Sequence, residues 1–461
     1  MTDQRFHGVS IGTRSCGVNT LLASICNFCV ANEQPITRRS HARVWFRVFY
    51  LLAAAGFSVV AHAQPIVAVA ASYTTRGNPT TAIPAPDGRY VFVSVTNVDS
   101  PNFAGPDVAA GRRSNVISGI EVFRSVGWHN KLKPIAFVRI GGKGANGMTL
   151  LHGGRTLVVG VGDDGVAFLS VDDLKSGRGA PLLASQGDGA GTFDVVATPD
   201  GRYVFSSNEY GLIQGQRGNV GVIATHINAN GRVTHPQTLG QIPTGDVVPS
   251  LALSPDGSRL YVASELVPAT QPPPIAGADN PQLTKHDCVQ RQGSPPRWNG
   301  FITVLDVAKA LSLDHDAVLS RVASGCSPVR IDESADQSAL YVSARGDNVI
   351  LVFSPHRLES DPDHAMLRVL PTGGTAPVGV HLFGADRYLA VADSNRFASG
   401  SGTLAILSAS GSPGTPPLQV LQERSFPRNI SRSADGSTLY LTNYNSRTLE
   451  VIRVRSGSGR T

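Results

Sequence analysis

A short phrase recurs through the chain and constrains its fold more than any other feature. The phrase is Pro-Asp-Gly, or a related turn, followed by a segment rich in Tyr, Val and Leu. Pro presets φ, Asp can bond its own backbone and Gly takes positive φ, so each copy predicts a tight hairpin between two strands. Four clear copies begin at Pro86, Pro199, Pro255 and Ala434, and three degraded copies begin at His152, Ala335 and Gly384.

Each hairpin is followed by a third apolar segment, such as 119–123, and usually by a weaker fourth one. Seven units of four strands, about 57 residues each, predict an all-β, seven-bladed β-propeller of four-stranded blades. The seventh unit stops after its third strand near Val454, while Ile66–Ala70 is a strand without a unit. We therefore expect the N-terminal strand to join the last blade and close the ring. An open solenoid or two β-sandwiches are the alternatives.

The first 63 residues are typical of an export signal. Four arginines between positions 38 and 47 precede an uncharged stretch over 48–60, which is followed by Ala61-His62-Ala63. The apolar run is shorter than the roughly 20 residues of a membrane-spanning helix. We predict an N-terminal extension and signal peptide over 1–63, a propeller over 64–461, and export to the periplasm or the extracellular space. No stable membrane span is expected after cleavage; an uncleaved anchor is the alternative.

Charge and cysteine distribution agree with this division. The formal charge is +6, but residues 1–63 hold six Lys/Arg and two acids, so 34 basic and 32 acidic residues remain in the propeller. A nearly neutral body does not favour nucleic-acid binding. Only Cys288 and Cys326 lie beyond the leader. In an oxidising compartment we expect them to pair as a disulfide between loops of one face, with two separate buried thiols as the alternative.

The last repeat carries a resemblance to a known family. Leu439–Asn443, Asn445-Ser446 and Thr448–Ile452 resemble the YVTN repeat of bacterial extracellular propellers. They are also similar to the seven-bladed lactonase-like propellers, the superfamily that contains 6-phosphogluconolactonase. The resemblance runs from roughly Ile66 to Val454. It implies the propeller fold and either a binding or surface role or, as in true lactonases, ring-opening hydrolysis of a sugar lactone.

The loop lengths single out one face of the predicted ring. The turns between the first two strands of each unit are all tight, whereas the connections between the second and third strands grow at 96–118, 209–219 and 265–299. Long loops on a rigid scaffold are where binding residues concentrate. A proline is expected to fix the entry to the innermost strand in five blades. These residues are Pro79, Pro249, Pro328, Pro377 and Pro427.

Charged residues near these entries are the candidate site. Asp194, Arg330 and Arg428 are the candidate catalytic residues. Candidate binding residues follow the second strands, and these are Glu209, Glu265, Arg345 and Asn395. The acids and arginines could equally lie on solvated loops or form pairs between blades. The asparagines that end second strands are expected to be left-handed turn residues, and these are Asn97, Asn208, Asn395 and Asn443.

The sequence contains no Gly-x-Ser-x-Gly hydrolase elbow, no His-Glu-x-x-His zinc-protease motif and no phosphate-binding loop. Asp163-Asp164-Gly165 indicates a β-turn rather than a Ca²⁺ loop. We expect no metal and no cofactor, and a monomer. The predicted function is a binding or scaffold module that takes a protein or a small molecule, such as a carbohydrate or lactone, on the loop-rich face. The alternative is a lactone hydrolase with a carboxylate or His as general base and Arg330 or Arg428 polarising the carbonyl. A quinone-type oxidoreductase would need cofactor-contact motifs that the sequence lacks.

Overall fold

A computed structural model describes residues 66–97, 117–127, 131–141, 144–187, 190–209, 218–267, 273–278, 300–396 and 400–455. The signal peptide, its cleavage after Ala63, and Cys288 lie outside the described residues. These three expectations therefore stay predictions, as does the domain border between 63 and 64.

The described chain forms seven four-stranded antiparallel sheets, which confirms the predicted seven-bladed β-propeller. Blade 1 contains β2 (Asn78–Pro84), β3 (Tyr90–Thr96), β4 (Ser118–Val126) and β5 (Lys131–Gly141). Blade 2 contains β6 (Met148–Leu151), β7 (Thr156–Gly160), β8 (Val166–Ser170) and β9 (Leu182–Ala184). Blade 3 contains β10 (Thr192–Ala197), β11 (Tyr203–Asn208), β12 (Asn219–Ala224) and β13 (Gln237–Pro243). Blade 4 contains β14 (Ser250–Leu253), β15 (Arg259–Ser264), β16 (Phe301–Asp306) and β17 (Val318–Ala323).

Blade 5 contains β18 (Pro328–Glu333), β19 (Leu340–Ala344), β20 (Val349–Phe353) and β21 (Met366–Pro371). Blade 6 contains β22 (Pro377–Phe383), β23 (Tyr388–Asp393), β24 (Thr403–Ser408) and β25 (Gln419–Gln422). Blade 7 contains β26 (Pro427–Arg432), β27 (Thr438–Asn443), β28 (Thr448–Val454) and the N-terminal β1 (Val67–Thr74). The four strands of each blade are called A to D in this order. The A strands of successive blades contact one another around the ring, so they surround the central axis.

The two ends of the propeller close the ring as the sequence predicts. β1 pairs antiparallel with β28, from Val67 opposite Val454 to Thr74 opposite Thr448. The last blade therefore combines three C-terminal strands with the N-terminal one, and β1 covers the outer edge of β28.

The repeated phrase forms the hairpin between strands A and B. In five blades an Asp side chain accepts a hydrogen bond from the backbone N–H two residues later, at 3.0 to 3.1 Å; these residues are Asp87, Asp200, Asp256, Asp336 and Asp435. The Gly that follows has positive φ in the clear copies, as at Gly88 and Gly436. In the degraded blade 5 copy, Gln337 takes the same left-handed conformation at φ 57°. The turn is therefore kept where the glycine is lost, at a cost in backbone strain.

Apolar residues of strands B and C form the core between neighbouring blades. Phe92 and Ile120 of blade 1, for example, pack with Leu157 and Val159 of blade 2. Among the described residues, three short helices each follow a C strand; these are α1 (Val171–Lys175), α2 (Val307–Leu311) and α3 (Pro355–Ser360). Short 3₁₀ turns occur at His152–Gly154, His315–Ala317 and Pro362–His364. Within the part of the chain that the structure describes, no helix is long and apolar enough to cross a membrane.

Candidate functional site

The axial mouth is the end of the central channel where the A strands begin. The five predicted entry prolines lie there: Pro328, Pro377 and Pro427 are the first residues of their A strands, Pro79 is the second, and Pro249 immediately precedes β14. The long B-to-C connections of blades 1, 3 and 4 end on the same face, since the B strands run opposite to the A strands. The middle parts of these three connections lie outside the described residues.

A β-bulge follows the entry to several A strands. The pairing register shifts between Thr192 and Asp194 in blade 3 and between Pro427 and Asn429 in blade 7. After the bulge, the backbone N–H of Asp194 donates to Ser207 Oγ at 2.8 Å, and that of Asn429 donates to Thr442 Oγ1 at 3.2 Å. Bulges of this kind re-aim a side chain. They place the side chains of Phe193 and Arg428 at equivalent positions of two blades.

Three blades that are not neighbours meet at Phe193. The Arg428 guanidinium carbon of blade 7 lies 5.1 Å from the centre of the Phe193 ring of blade 3, and that of Arg330 in blade 5 lies 5.4 Å from it. The Arg428 guanidinium also lies 5.0 Å from the centre of the Tyr444 ring. Contacts between blades 3, 5 and 7 can only be made across the axis. These four residues, which we call the axial cluster, therefore lie within the channel.

Two of the three candidate catalytic residues are bound to backbone groups of the ring. The Arg330 side chain is buried, and its Nη1 donates to Pro249 O at 2.6 Å and to Val329 O at 3.0 Å. The Asp194 carboxylate accepts from Val195 N at 3.0 Å and from Leu251 N at 3.4 Å. Burial raises the pKa of Asp194, although the charge of Arg330 opposes the shift. Asp194 thus joins blade 3 to blade 4, and Arg330 joins blade 5 to the entry of blade 4.

Arg428 differs from these two residues. It is half-buried, and within the described part of the chain its guanidinium contacts aromatic rings but donates no hydrogen bond. Desolvation lowers the pKa of Arg428 to about 10, and the charges of Arg330 and Arg396 act in the same direction. Tyr444 and Glu209 oppose the shift. At neutral pH the group stays charged, with its N–H donors available to an acceptor that enters the mouth.

The rim of the mouth is built from one repeated backbone contact. In five blades a left-handed residue at the A-strand entry accepts a hydrogen bond, at 2.8 to 3.1 Å, from the N–H of the first residue after strand B. The acceptors are Gly191, Val247, Ser327, Ala376 and Phe426, and the donors are Glu209, Glu265, Arg345, Ser394 and Tyr444. Glu209, Glu265 and Arg345 therefore occupy equivalent rim positions in successive blades.

Two of the candidate binding residues pair with each other. Arg345 Nη2 and Glu265 Oε2 are 2.6 Å apart, and the two side chains are only 4% and 9% exposed. This is an inter-blade pair, the alternative that the sequence left open. Glu209 is half-buried, and its charge acts on Arg428. Asn395 is a turn residue with φ 50° whose Nδ2 donates to Ser401 O at 3.3 Å.

The expected role of the asparagines is confirmed at two positions and wrong at two. Asn97 and Asn395 are left-handed, as predicted. Asn208 and Asn443 instead end strands β11 and β27, are fully buried, and hydrogen-bond to neighbouring side chains. A buried strand end needs partners for its polar groups, and an amide supplies both a donor and an acceptor.

Sequence reasoning missed the aromatic members of the axial cluster. Tyr444 stands at the rim position of blade 7 that Glu209 and Arg345 hold in other blades, so alignment of the repeats could have found it. Phe193 precedes Asp194 by one residue, and only the bulge shows that it, rather than its neighbour, corresponds to Arg428. No pattern in the sequence predicts such a bulge.

Two further predictions concern loops. Asp163-Asp164-Gly165 lies between β7 and β8, where Gly165 has φ 90° and its N–H donates to Gly162 O at 3.2 Å, so the predicted turn is present. Cys326 is buried at the entry to blade 5, and its N–H donates to Asp347 Oδ2 at 2.7 Å. Because Cys288 is outside the described residues, the Cys288–Cys326 disulfide stays a prediction.

The fold and the axial cluster together define the class: a seven-bladed β-propeller with a cationic, aromatic axial mouth. Among solved structures the chain is similar to Kuenenia stuttgartiensis hydrazine synthase, with a TM-score of 0.55 and 14% sequence identity over 84% of this chain and 98% of that one. At this identity the likeness shows the propeller fold alone. No protein-family model matches the chain. The comparison with curated proteins finds no match either.

Proposed function

We propose that the protein is an exported binding or scaffold module of the YVTN/lactonase-like type, and that its axial mouth binds a small anionic ligand such as a sugar acid. The proposal depends on the environment of the Arg428 guanidinium. It is a desolvated cation held against Phe193 and Tyr444, and it has no hydrogen-bond acceptor among the described residues.

The N–H donors of the Arg428 guanidinium are available to a ligand. A guanidinium carries five N–H donors in a planar fork that suits a carboxylate, and its faces stack on aromatic rings. Here the rings of Phe193 and Tyr444 hold the cation without using those donors. A partly desolvated charge without an acceptor is costly, so an entering carboxylate gains a charge-assisted hydrogen bond and relieves that cost.

The test is a binding panel on the mature propeller. Gluconate, the neutral gluconolactone and inorganic sulfate are titrated by calorimetry at constant ionic strength. The variants are Arg428→Met and, as a matched control on the opposite face, Arg202→Met, whose side chain is 72% exposed in a hairpin turn. A lost hydrogen bond to a charged group corresponds to roughly 10- to 100-fold in affinity.

We expect an anion of the panel to bind the wild type and the Arg202 variant equally, and to bind Arg428→Met at least about tenfold more weakly. The neutral lactone should bind more weakly than gluconate. Equal binding to both variants, or no binding by any panel member, would contradict the proposal.

A second candidate is lactone hydrolysis in the same channel. The observation that favours it is Asp194, a carboxyl of raised pKa beside Arg330. Its two oxygens already accept backbone N–H groups, which favours a structural role. The assay is opening of gluconolactone above the spontaneous rate. Hydrolysis that is lost in Asp194→Asn and in Arg428→Met would support the enzyme, whereas spontaneous-rate opening with intact gluconate binding would support the binding module.

A further inference from the structure

Two glutamates meet in the wall between blades 6 and 7. Glu423 directly follows β25, and Glu450 is the third residue of β28; they are 6% and 4% exposed. The Glu423 carboxyl is within hydrogen-bond range of both the Glu450 carboxyl and the Asn443 amide. With both glutamates ionised, Glu423 Oε1, Glu450 Oε2 and Asn443 Oδ1 are buried oxygens that accept no hydrogen bond from the described residues.

The same place between blades 2 and 3 shows what a purely structural contact looks like. There Gln186 follows the D strand, and Asn208 Nδ2 donates to Asn219 Oδ1 at 2.7 Å and to Gln186 Oε1 at 3.4 Å. Gly221 stands where blade 7 has Glu450, and a Cβ on it would lie 1.9 Å from Gln186 Oε1. This neutral amide network leaves no room for a second side chain. Between blades 6 and 7, Glu423 and Glu450 place two carboxyl groups in the corresponding space.

Paired buried carboxylates need a positive partner. Burial, followed by the hydrogen bond with Glu450 and then by the charge of Glu450, raises the pKa of Glu423 to about 10. Arg424 supplies one cation: its Nε donates to Glu450 Oε1 at 3.2 Å, and its side chain is 55% exposed. That contact uses Glu450 Oε1 and involves neither Glu423 Oε1 nor Glu450 Oε2.

A shared proton would satisfy only part of this arrangement. One proton between the carboxyls pairs Glu423 with Glu450, but Asn443 Oδ1 still accepts from no group in the described part of the chain. A hard cation accepts carboxylate and amide oxygens together and completes its shell with water.

We propose that Glu423, Glu450 and Asn443 form a binding site for a divalent cation of the calcium type between blades 6 and 7. Glu450 lies opposite Ser72 of β1 in the closing pair of strands. The cation therefore joins blade 6 to the blade in which the two chain ends meet, and it stabilises the closed ring.

The experiment uses the mature propeller, freed of metal with a chelator and titrated with Ca²⁺ by calorimetry and by thermal unfolding. Glu423→Gln copies the amide of Gln186 and removes one charge at constant shape. Glu450→Gln is the second variant. Glu333→Gln is the matched control, since Glu333 is a half-buried carboxyl in blade 5, away from this site, and accepts a hydrogen bond from Tyr261.

We expect saturable Ca²⁺ binding and a Ca²⁺-dependent rise in Tm for the wild type and Glu333→Gln, and at least about tenfold weaker binding for both site variants. Without metal, Glu423→Gln should unfold at a higher temperature than the wild type, which also shows that it is folded. A wild type that binds neither Ca²⁺ nor Mg²⁺ overturns the proposal. Wild-type binding by Glu423→Gln overturns it too, since the metal then lies elsewhere, as at the exposed Asp314–Asp316 group.

Discussion

Asp393, the last residue of β23, is a buried carboxyl at a position where two other blades have asparagine. Its exposed fraction is 1%. Asp393 Oδ2 accepts from Thr403 Oγ1 at 3.1 Å, while Oδ1 accepts no hydrogen bond from the residues that the structure describes. Asn208 and Asn443 hold the equivalent strand ends of blades 3 and 7. Asp393→Asn is therefore a substitution that the fold already accommodates elsewhere.

The size of the effect follows from linkage. Burial raises the pKa of Asp393 from 3.8 to about 7, against hydrogen bonds from Thr372 and Thr403. The folded state therefore holds the proton more tightly than the unfolded state, and the stability it contributes is full below pH 3.8 and is lost as pH rises through about 7. Between pH 5 and pH 8 this group lowers the free energy of unfolding by about 2.5 kcal/mol, taken as an upper value.

The assay is denaturant unfolding of the wild type and Asp393→Asn at these two pH values. The wild type should lose about 2.5 kcal/mol more than the variant on going from pH 5 to pH 8. Other buried acids contribute equally to both proteins and cancel in this difference. Asp172→Asn, which removes an exposed carboxylate of α1, should behave as the wild type. An identical pH dependence in wild type and Asp393→Asn would refute the reasoning.

Two further predictions concern the ring itself. Cysteines at Ala68 and Arg453, which lie opposite each other in the closing pair of strands, should form a disulfide on mild oxidation; cysteines at Val69 and Arg453 should not, because side chains one residue apart point to opposite faces. A reducing and non-reducing mass comparison distinguishes the two, and equal cross-linking would contradict the register. Removal of one partner of the buried Glu265–Arg345 pair should cost about 3 to 5 kcal/mol in denaturant unfolding. Replacement of both by Gln and Met should cost less than the two single changes together, and additive costs would show that the pair is not coupled.

The fold was predictable because the repeat encodes it locally. Asp87 and Asp435 stand in turns whose hydrogen bonds need only residues two positions apart, so the sequence alone announces the hairpins. Closure of the ring was predictable because the last repeat unit lacks its fourth strand, while one additional strand precedes the first unit. Both inferences depend on short-range patterns and on counting.

The site was predictable only in part, because its geometry depends on long-range contacts. Arg330 and Arg428 were both candidates, yet only the structure shows that Arg330 binds carbonyl groups of the ring while Arg428 does not. Phe193 reaches these arginines from blade 3 across the axis, and no sequence spacing relates the three. The Glu423–Glu450 pair likewise joins two blades, so neither residue is conspicuous in its own segment.

The proposed function depends on an anion-accepting cation at Arg428. Crystals of the mature propeller soaked in bromide offer the most direct measurement, since anomalous scattering locates the ion without knowledge of the ligand. We predict an ordered bromide at the N–H donors of the Arg428 guanidinium, whose carbon lies 5.1 Å and 5.0 Å from the centres of the Phe193 and Tyr444 rings, and its loss in Arg428→Met crystals. Bromide found only at exposed arginines such as Arg202, with none in the axial mouth, would contradict the account.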